Sequence, residues 1–502
     1  MRSRLARVPD IDPDFLALPL RELADAALGR AAELGAEHAD FRLERIRDRT
    51  LAVSDGAVET AAEGDTLGFA VRVVHRGVWG FASADTLTPD AAARTAERAV
   101  AVAEVAAPLA TDRVELAPEP VHAGRVWVSA YEEDPFEVSM RAQAALLSGW
   151  CRRLLEDGRV DHVDASLLQA KEQKFYADTA GTSTTQQRVR IAPEVEVVAN
   201  RGGLLDSMRT LSPPAGRGWE YLPTVEAELA DLPALLDEKL RAPSVEPGRY
   251  DLVIDPSQLW LTIHESIGHA TELDRALGYE AAYAGTSFAT PDRLDSLRYG
   301  APSMHVTGDR TAEHGLATIG FDDEGVATSS FDLIRDGVLT GYQRDRRISA
   351  ARGLRSSNGC AFADSPGHMP IQRMANVSLA ADPSGPDTEG LIAGVEDGIY
   401  VVGDRSWSID MQRYNFQFTG QRFYRIRGGH LDGMLRDVAY QASTTEFWNS
   451  MAAVGGPASY VLGGTFRCGK GQPGQVAAVS HGCPAAAFSD VRVLNTAQEA
   501  GK

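Results

Sequence analysis

The stretch of this sequence best suited to chemistry spans residues 258–274 and reads QLWLTIHESIGHATELD. It places His264, Glu265 and His269 on one short segment that begins with apolar residues. Two neutral imidazoles and a carboxylate are the side chains that a divalent metal and a metal-activated water molecule require. The segment is therefore a candidate metal site on a helix.

The spacing of the two histidines differs from that of the common HExxH motif. In HExxH the histidines are separated by about 40° around an α-helix, so both lie on one face. His264 and His269 are five residues apart, about 140° around, which would place them on different faces of a regular helix. A one-residue π-bulge, which Gly268 could ease, would bring the imidazoles together and turn Glu272 towards the same face. A metal site that uses both histidines would therefore require a π-bulge within this helix.

Candidates for a third metal ligand lie both within this segment and in other parts of the chain, and a cysteine thiolate is a suitable soft ligand. Cys468 lies between glycines in GGTFRCGKGQP, residues 463–473, where the backbone can approach closely and expose the sulfur. Cys483 is a competing candidate because His481 lies two residues before it. Glu272 could be a ligand, or it could orient a histidine by accepting its second N–H. The residues alone leave this choice open.

Composition excludes some classes of partner. The 502 residues include 50 Lys and Arg against 70 Asp and Glu, which gives a formal net charge of −20. Nucleic acids and anionic membranes are bound by clustered positive charge, so neither is expected as the main partner.

The N-terminal residues MRSRLARVPDIDPDF contain no apolar run and no small-residue cleavage site, so no secretory signal is expected there. No stretch approaches the ~20 apolar residues of a membrane span.

The cysteine content indicates a reducing compartment. Four cysteines in a chain of this length do not make a disulfide framework. We therefore predict reduced thiols and a cytoplasmic protein, in which a free thiolate is available as a metal ligand.

The length of the chain predicts more than one domain. The first module, residues 1–107, has an amphipathic helix pattern, then strand-like runs joined by DG and RG turns, then a helix of alanines and valines. The second, residues 108–245, has a similar order of helix, strands and helix, although the similarity is too loose to be a sequence repeat. The third, residues 246–502, opens with the histidine helix and continues with short apolar runs separated by Gly and Asp. We predict a multi-domain α+β fold, with two α+β N-terminal modules and a mainly β C-terminal domain carrying the metal-binding helix.

Several short motifs follow the histidine segment in a fixed order. After HESIGHATE come DDEG (322–325), LTGY (339–342), SNG (357–359), PGHMPIQRMAN (366–376) and the glycine-rich cysteine stretch. In this combination the chain resembles the TldD/PmbA family of metallopeptidases. The hairpin region from Gly68 to Phe81 is also similar to the first domain of that family, so the resemblance covers nearly the full chain.

The intact histidine motif is similar to that of the TldD-type subunit, since the related TldE (PmbA) type lacks it. This resemblance implies a zinc ion on His264, His269 and Cys468, with Glu265 as general base, and hydrolysis of peptide bonds in peptides or unfolded segments. It also implies a dimer, formed either with a TldE/PmbA-like subunit or with a second copy of the chain.

Two further residues are candidates for substrate binding. Arg373 and His368, both in PGHMPIQRMAN, could bind a peptide carbonyl or carboxylate, or stabilise an oxyanion. A structural turn carrying a surface arginine would account for the same residues.

A different class of function also fits the motifs. In a non-catalytic regulatory or binding subunit, zinc would be structural and the site would be closed by a fourth protein ligand, Glu272 or Cys483. A catalytic site would instead keep one position open to water.

Overall fold

The computed structural model of this protein describes residues 10–471 and 474–499. The first nine residues, part of the stretch where no secretory signal is expected, lie outside the described residues, as do Gln472 and Pro473 of the glycine-rich stretch. Within the described ranges, no helix is both long and apolar enough to cross a membrane. All four cysteines are buried free thiols.

The N-terminal half forms one seven-stranded sheet with helices packed against it. Its helices are α1 (Pro13–Leu16), α2 (Leu20–Glu33), α3 (Pro89–Ala106), α4 (Met140–Leu155), α5 (Leu222–Glu228) and α6 (Leu232–Arg241). Its strands are β1 (His38–Ser54), β2 (Ala57–His75), β3 (Val78–Ala84), β4 (Arg125–Val128), β5 (His162–Asp178), β6 (Ser183–Arg201) and β7 (Leu204–Arg209). The strand order is β3-β2-β1-β5-β6-β4, and β7 pairs with β6.

The first hairpin of this sheet turns at Asp55 and Gly56, which have φ angles of 49° and 82°. A two-residue turn with positive φ at both positions matches the twist of the flanking strands, which explains why the DG signal predicts it. β1 also pairs with β5, from Asp40 to Ser54. The strands of the two predicted N-terminal modules are thus joined in one sheet, and a domain boundary at residue 107 stays a prediction.

The C-terminal half is mainly β. Its strands are β8 (Gly248–Ile254), β9 (Val306–Asp309), β10 (Ser330–Arg335), β11 (Val338–Leu339), β12 (Ala361–Phe362), β13 (Ile371–Gln372), β14 (Asn376–Leu379), β15 (Asp397–Ile409), β16 (Asn415–Arg427), β17 (His430–Leu435), β18 (Val438–Ser443), β19 (Met451–Val454), β20 (Val461–Lys470), β21 (Gln475–Cys483) and β22 (Ala486–Asn495). Its helices are α7 (Pro256–Ile263), α8 (Leu273–Ala276), α9 (Arg346–Ala351), α10 (Thr388–Ala393), α11 (Thr444–Asn449) and α12 (Thr496–Glu499). The main sheet has the order β15-β8-β22-β18-β16-β17, and β19 pairs with β22.

The α7 helix is held rigidly because it lies in the largest hydrophobic core. Leu259 and Ile263 of α7 are fully buried in that core together with Leu252 and Ile254 of β8 and Trp448 of α11. Side chains that project from such an element keep a fixed position. The observed architecture is the predicted multi-domain α+β fold, with a mainly β C-terminal region that carries the histidine helix.

A two-stranded ribbon, β20–β21, packs against α7 and brings the glycine-rich cysteine stretch to the end of that helix. Its antiparallel register shifts between Thr465 and Cys468. An irregularity of this kind bends a strand and re-aims the side chain that follows it. Cys468 is therefore presented by a bulged strand rather than by a loop.

Candidate metal centre

The histidine segment departs from α-helical geometry where the sequence predicts it. Asp255 caps α7 by accepting from the backbone N–H of Ser257, and the helix passes into a π-helical turn at His264–Gly268. In this turn the N–H of His269 donates to the carbonyl of His264, five residues back. The predicted π-bulge is confirmed, and it puts the two imidazole centroids 4.7 Å apart.

The π-turn leaves backbone carbonyls that need new partners, and buried side chains supply them. The Gln343 amide donates to the Gly268 carbonyl at 2.8 Å, and the Thr271 hydroxyl donates to the Ile267 carbonyl at 2.8 Å. The carbonyls of the irregular backbone are thus satisfied by buried side chains.

Three side chains with metal-ligating atoms meet at this turn. One ligand atom from each of His264, His269 and Cys468 lies within 4.8 Å of the others, and all three residues are buried. Cys468 Sγ lies 3.6 Å from His269 Nε2. A tetrahedral zinc ion with bonds of about 2.1 Å to nitrogen and about 2.3 Å to sulfur separates such atoms by about 3.6 Å. The three residues therefore fit zinc in both type and spacing.

The protonation states also suit a metal. Burial lowers the pKa of His264 and of His269, so both imidazoles are neutral near pH 7. Burial alone would raise the pKa of the Cys468 thiol, but nearby His269 and Arg373 bring it below its ordinary value. Neutral imidazoles and a thiolate are the forms that coordinate zinc.

Glu272 orients His269. Its carboxylate Oε2 lies 2.9 Å from His269 Nδ1 and also accepts from Arg275 Nε, at 3.1 Å. Burial would raise the pKa of Glu272, but Lys470 and Arg275 hold it well below its usual range. An ionised carboxylate can only accept, so His269 carries its proton on Nδ1 and leaves Nε2 free on the side of Cys468.

Cys483, the competing thiol, lies apart from the three ligand atoms. Its sulfur is 3.8 Å from the carbonyl of Pro256, at the other end of α7, and burial holds its pKa well above the ordinary value. Its neighbour His481, however, points at the site, and His481 Nε2 lies 2.7 Å from His264 Nδ1. The HGCP stretch therefore contributes its histidine to the centre and keeps its cysteine in the core.

Two charged residues that were not among the predicted site residues contact the carboxylates around the candidate metal centre. Arg413 Nη1 donates to Glu265 Oε2 at 2.9 Å. Lys470 is fully buried and donates to Glu272 at 3.1 Å and to Asp274 at 2.8 Å. Lys470 could have been found from the sequence, because residues two apart on a strand share a face and it lies two positions after Cys468. Arg413 has no such local signal.

The two residues predicted to bind substrate occupy different surroundings. Arg373 is 1% exposed, and its guanidinium donates to the backbone carbonyls of Cys468 and, at 3.0 Å, of Gln475. It therefore braces the β20–β21 ribbon beside the site. His368 is partly exposed, with its Nδ1 2.6 Å from Asp364 Oδ1. A role in substrate binding stays a prediction for both residues.

Comparison with known proteins decides the family. Residues 247–495 match the PmbA/TldA metallopeptidase C-terminal domain, and residues 39–103 match PmbA/TldA metallopeptidase domain 1. Together the two matches cover more than half of the chain and include the candidate metal centre. The chain belongs to the TldD/PmbA family. The family resemblance stated from the motifs is thereby confirmed.

Relatives of this TldD/PmbA-family chain carry metalloprotease names. A metalloprotease of Methanothermobacter thermautotrophicus is 26% identical over 479 residues, which is 95% of this chain and 97% of the relative. A metalloprotease TldD homolog of Haemophilus influenzae is 25% identical over 92% of this chain and 93% of its own length. A zinc metalloprotease TldD homolog of Saccharolobus solfataricus is 22% identical over 85% and 90%. The names of the family and of these relatives indicate a metalloprotease.

Solved structures share the fold. TldE from Thermococcus kodakarensis superposes with a TM-score of 0.72 at 14% identity, covering 93% of this chain and 98% of that one. A Thermotoga maritima protein described as a proposed modulator of a DNA gyrase superposes with a TM-score of 0.75, also at 14% identity, covering 94% and 100%. At these identities the likeness establishes the fold alone.

Proposed function

We propose that this chain is the TldD-type, metal-binding subunit of a zinc-dependent peptidase that hydrolyses peptide bonds in peptides or unfolded segments. The observation that carries the proposal is the convergence of His264, His269 and Cys468 at a π-turn, with Glu265 next to the first histidine. The metalloprotease names of relatives that match over most of their length support it.

In this proposal the three ligands come from two rigid elements. His264 Nε2 and His269 Nε2 face the centre from the π-turn, and the Cys468 thiolate faces it from the bulged strand. A bound zinc ion would supply Lewis acidity that polarises the scissile carbonyl and lowers the pKa of a water molecule. A thiolate donates more charge than a third imidazole would, so we expect slow turnover and tight metal retention.

The proton transfers fall to Glu265. Its position one residue after a ligand lets its carboxylate take a proton from the attacking water and pass it to the leaving amine. Arg413, which donates to this carboxylate at 2.9 Å, holds it in one rotamer.

The alternative is a regulatory subunit in which zinc is structural. A structural site would need a fourth protein ligand. Glu272 is engaged with His269, Arg275 and Lys470, and Cys483 lies against Pro256. The engagement of both candidates favours a catalytic site with one position open to water.

We also propose that the chain acts in a dimer, with a TldE/PmbA-like subunit or with a second copy of itself. The shared fold with a solved TldE structure is consistent with a partner of that type. The four free thiols agree with the cytoplasmic location predicted from the sequence.

Metal content of the purified chain tests the proposal. We expect about one zinc per chain in wild type and loss of zinc in His264→Ala and in Cys468→Ser. Cys483→Ser is the matched control, since it removes an equally buried thiol outside the cluster, and it should retain zinc. Stoichiometric zinc in Cys468→Ser would refute the ligand assignment. Failure of wild type to bind zinc, even when zinc is supplied, would favour a non-catalytic subunit.

A further inference from the structure

A third histidine, His481, lies directly against the candidate metal centre. His481 lies on β21, is fully buried and places Nε2 2.7 Å from Nδ1 of His264. Its other ring nitrogen, Nδ1, lies 2.9 Å from the backbone carbonyl of Val377 on β14. The two imidazoles meet nearly perpendicularly, at 77°, with centroids 4.8 Å apart. His481 thus bridges the candidate ligand to the backbone of a neighbouring strand.

The direction of this hydrogen-bond chain follows from its end point. A backbone carbonyl has no proton, so His481 must donate to Val377 from Nδ1. Neutral His481 then has an unprotonated Nε2, which accepts from Nδ1–H of His264. The remaining nitrogen of His264, Nε2, is left without a proton and is the atom available to a metal. The carbonyl of Val377 therefore sets the tautomer of His264 through His481.

The ring of His481 is also held in place by packing. The Trp260 indole lies nearly parallel to it, at 9°, with centroids 6.2 Å apart. Gly463, which pairs with His481 in the ribbon, makes this possible, because a Cβ at that position would lie 2.7 Å from the indole ring. A ring fixed by a stack and by two hydrogen bonds presents its acceptor in one direction only.

We propose that His481 is a positioning residue that fixes the tautomer and orientation of His264 and thereby strengthens zinc binding by this chain. The inference rests on the proposed function, because it takes zinc as the occupant of the site. In this role His481 is a hydrogen-bond partner of a ligand and not a fourth ligand, because its Nε2 already accepts from His264. Hydrogen-bond partners of this kind typically change metal affinity by about 10- to 100-fold.

The first test compares His481→Gln with His481→Met on the full chain. The Gln amide can donate to the Val377 carbonyl through its N–H and accept from His264 through its oxygen, whereas Met fills the space and does neither. In competition with a chromophoric chelator we expect zinc affinity to fall about 10- to 100-fold in His481→Met and to stay within about 5-fold of wild type in His481→Gln. Equal affinity in wild type and His481→Met would overturn the proposal.

Cobalt substitution separates positioning from ligation. The visible absorption bands of bound Co²⁺ report the ligand set, so positioning predicts unchanged bands in both variants once cobalt is saturating. A change of coordination number in both variants would identify His481 as a ligand and overturn the positioning role. Absence of zinc binding in wild type would instead count against the proposed function, so the two failures are distinguishable.

A measurement on wild type does not depend on the folding of His481→Met. In protein labelled with ¹⁵N-histidine, long-range ¹H–¹⁵N correlations identify which ring nitrogen carries the proton. The proposal predicts a proton on Nδ1 in both His264 and His481, with His481 assigned by its absence from the His481→Gln spectrum. A proton on Nε2 of His481 would overturn the inference even if His481→Met fails to fold.

Discussion

Arg413 donates from Nη1 to the carboxylate of Glu265 at 2.9 Å, although the two residues are 148 positions apart in the chain. The same guanidinium donates from Nη2 to the carbonyl of Ala284 at 3.1 Å. Arg413 itself has a φ of 62°, a conformation that a non-glycine residue adopts only where its surroundings hold it. The carboxylate of Glu265, the proposed general base, is therefore held by a residue whose own backbone is constrained.

We predict that Glu265→Gln abolishes most peptidase activity but keeps zinc. General acid–base catalysis by a positioned side chain contributes about 10²- to 10⁴-fold, so kcat should fall by that factor. Zinc content should stay near that of wild type, because Glu265 is not among the three clustered ligands. The assay is hydrolysis of an unfolded casein by the chain, alone and co-expressed with a TldE/PmbA-like subunit. Activity equal to wild type would refute the general-base role, and Glu446→Gln on the surface is the control.

Arg413→Met should lower kcat by about 10-fold or more, because the carboxylate of Glu265 loses the donor that holds its rotamer. Zinc affinity should change little, since Arg413 contacts the base and not the ligands. Arg335→Met serves as control, because that arginine forms an exposed pair with Asp332. A variant with normal kcat would show that Glu265 is positioned without Arg413.

Lys470→Met should destabilise the fold strongly. Lys470 is fully buried between Glu272 and Asp274, so its removal leaves buried Asp274 without its cation and Glu272 with Arg275 alone. Breaking a buried pair in this way costs about 3–5 kcal/mol, whereas an exposed pair is worth about 1 kcal/mol or less. Urea unfolding of metal-free protein should therefore show a large fall in midpoint for Lys470→Met and little change for Arg335→Met. Equal midpoints in the two variants would contradict the prediction.

The stability of the metal-free chain should depend on pH through Asp345. Burial, with Glu324 nearby, raises the pKa of Asp345 to about 7. The folded state then binds a proton more tightly than the unfolded state, which stabilises the fold. This stabilisation is complete below about pH 4 and is lost as pH rises to about 7. From pH 5 to pH 8 wild type should lose on the order of 2 kcal/mol through this group.

Asp345→Asn is the variant that isolates this effect. Asp345 caps α9 by accepting from the N–H of Ile348 at 2.8 Å, and an asparagine oxygen can accept the same bond. The variant should therefore fold normally and lose less stability than wild type between pH 5 and pH 8, measured by urea unfolding at each pH. Parallel pH profiles for the two proteins would refute the raised pKa.

The histidine helix shows how far sequence reasoning can go. The five-residue spacing of His264 and His269 is a local property, and a regular helix cannot put both on one face, so a π-bulge follows from helix geometry alone. The apolar run before His264 likewise predicts a buried helix. Both features could be predicted without knowledge of the tertiary structure, because helical periodicity depends only on neighbours in the chain.

The sequence alone could not decide which of the two cysteines is the candidate ligand. Cys468 and Cys483 lie on consecutive strands of one ribbon, each near a glycine. Their residue types and spacing are compatible with either as a ligand. The register shift after Thr465 and the packing of the ribbon on α7 bring Cys468 to His269 and bury Cys483 near Pro256.

Local spacing and the order of motifs are enough to predict the family and a helix whose two histidines need a π-turn to share a face. The thiol that joins them, the contact of His481 with His264 and the contact of Arg413 with Glu265 follow from the tertiary structure. Those contacts link residues that are between 148 and 217 positions apart. Contacts over such separations are created by strand register and core packing, and no periodicity along the chain encodes them.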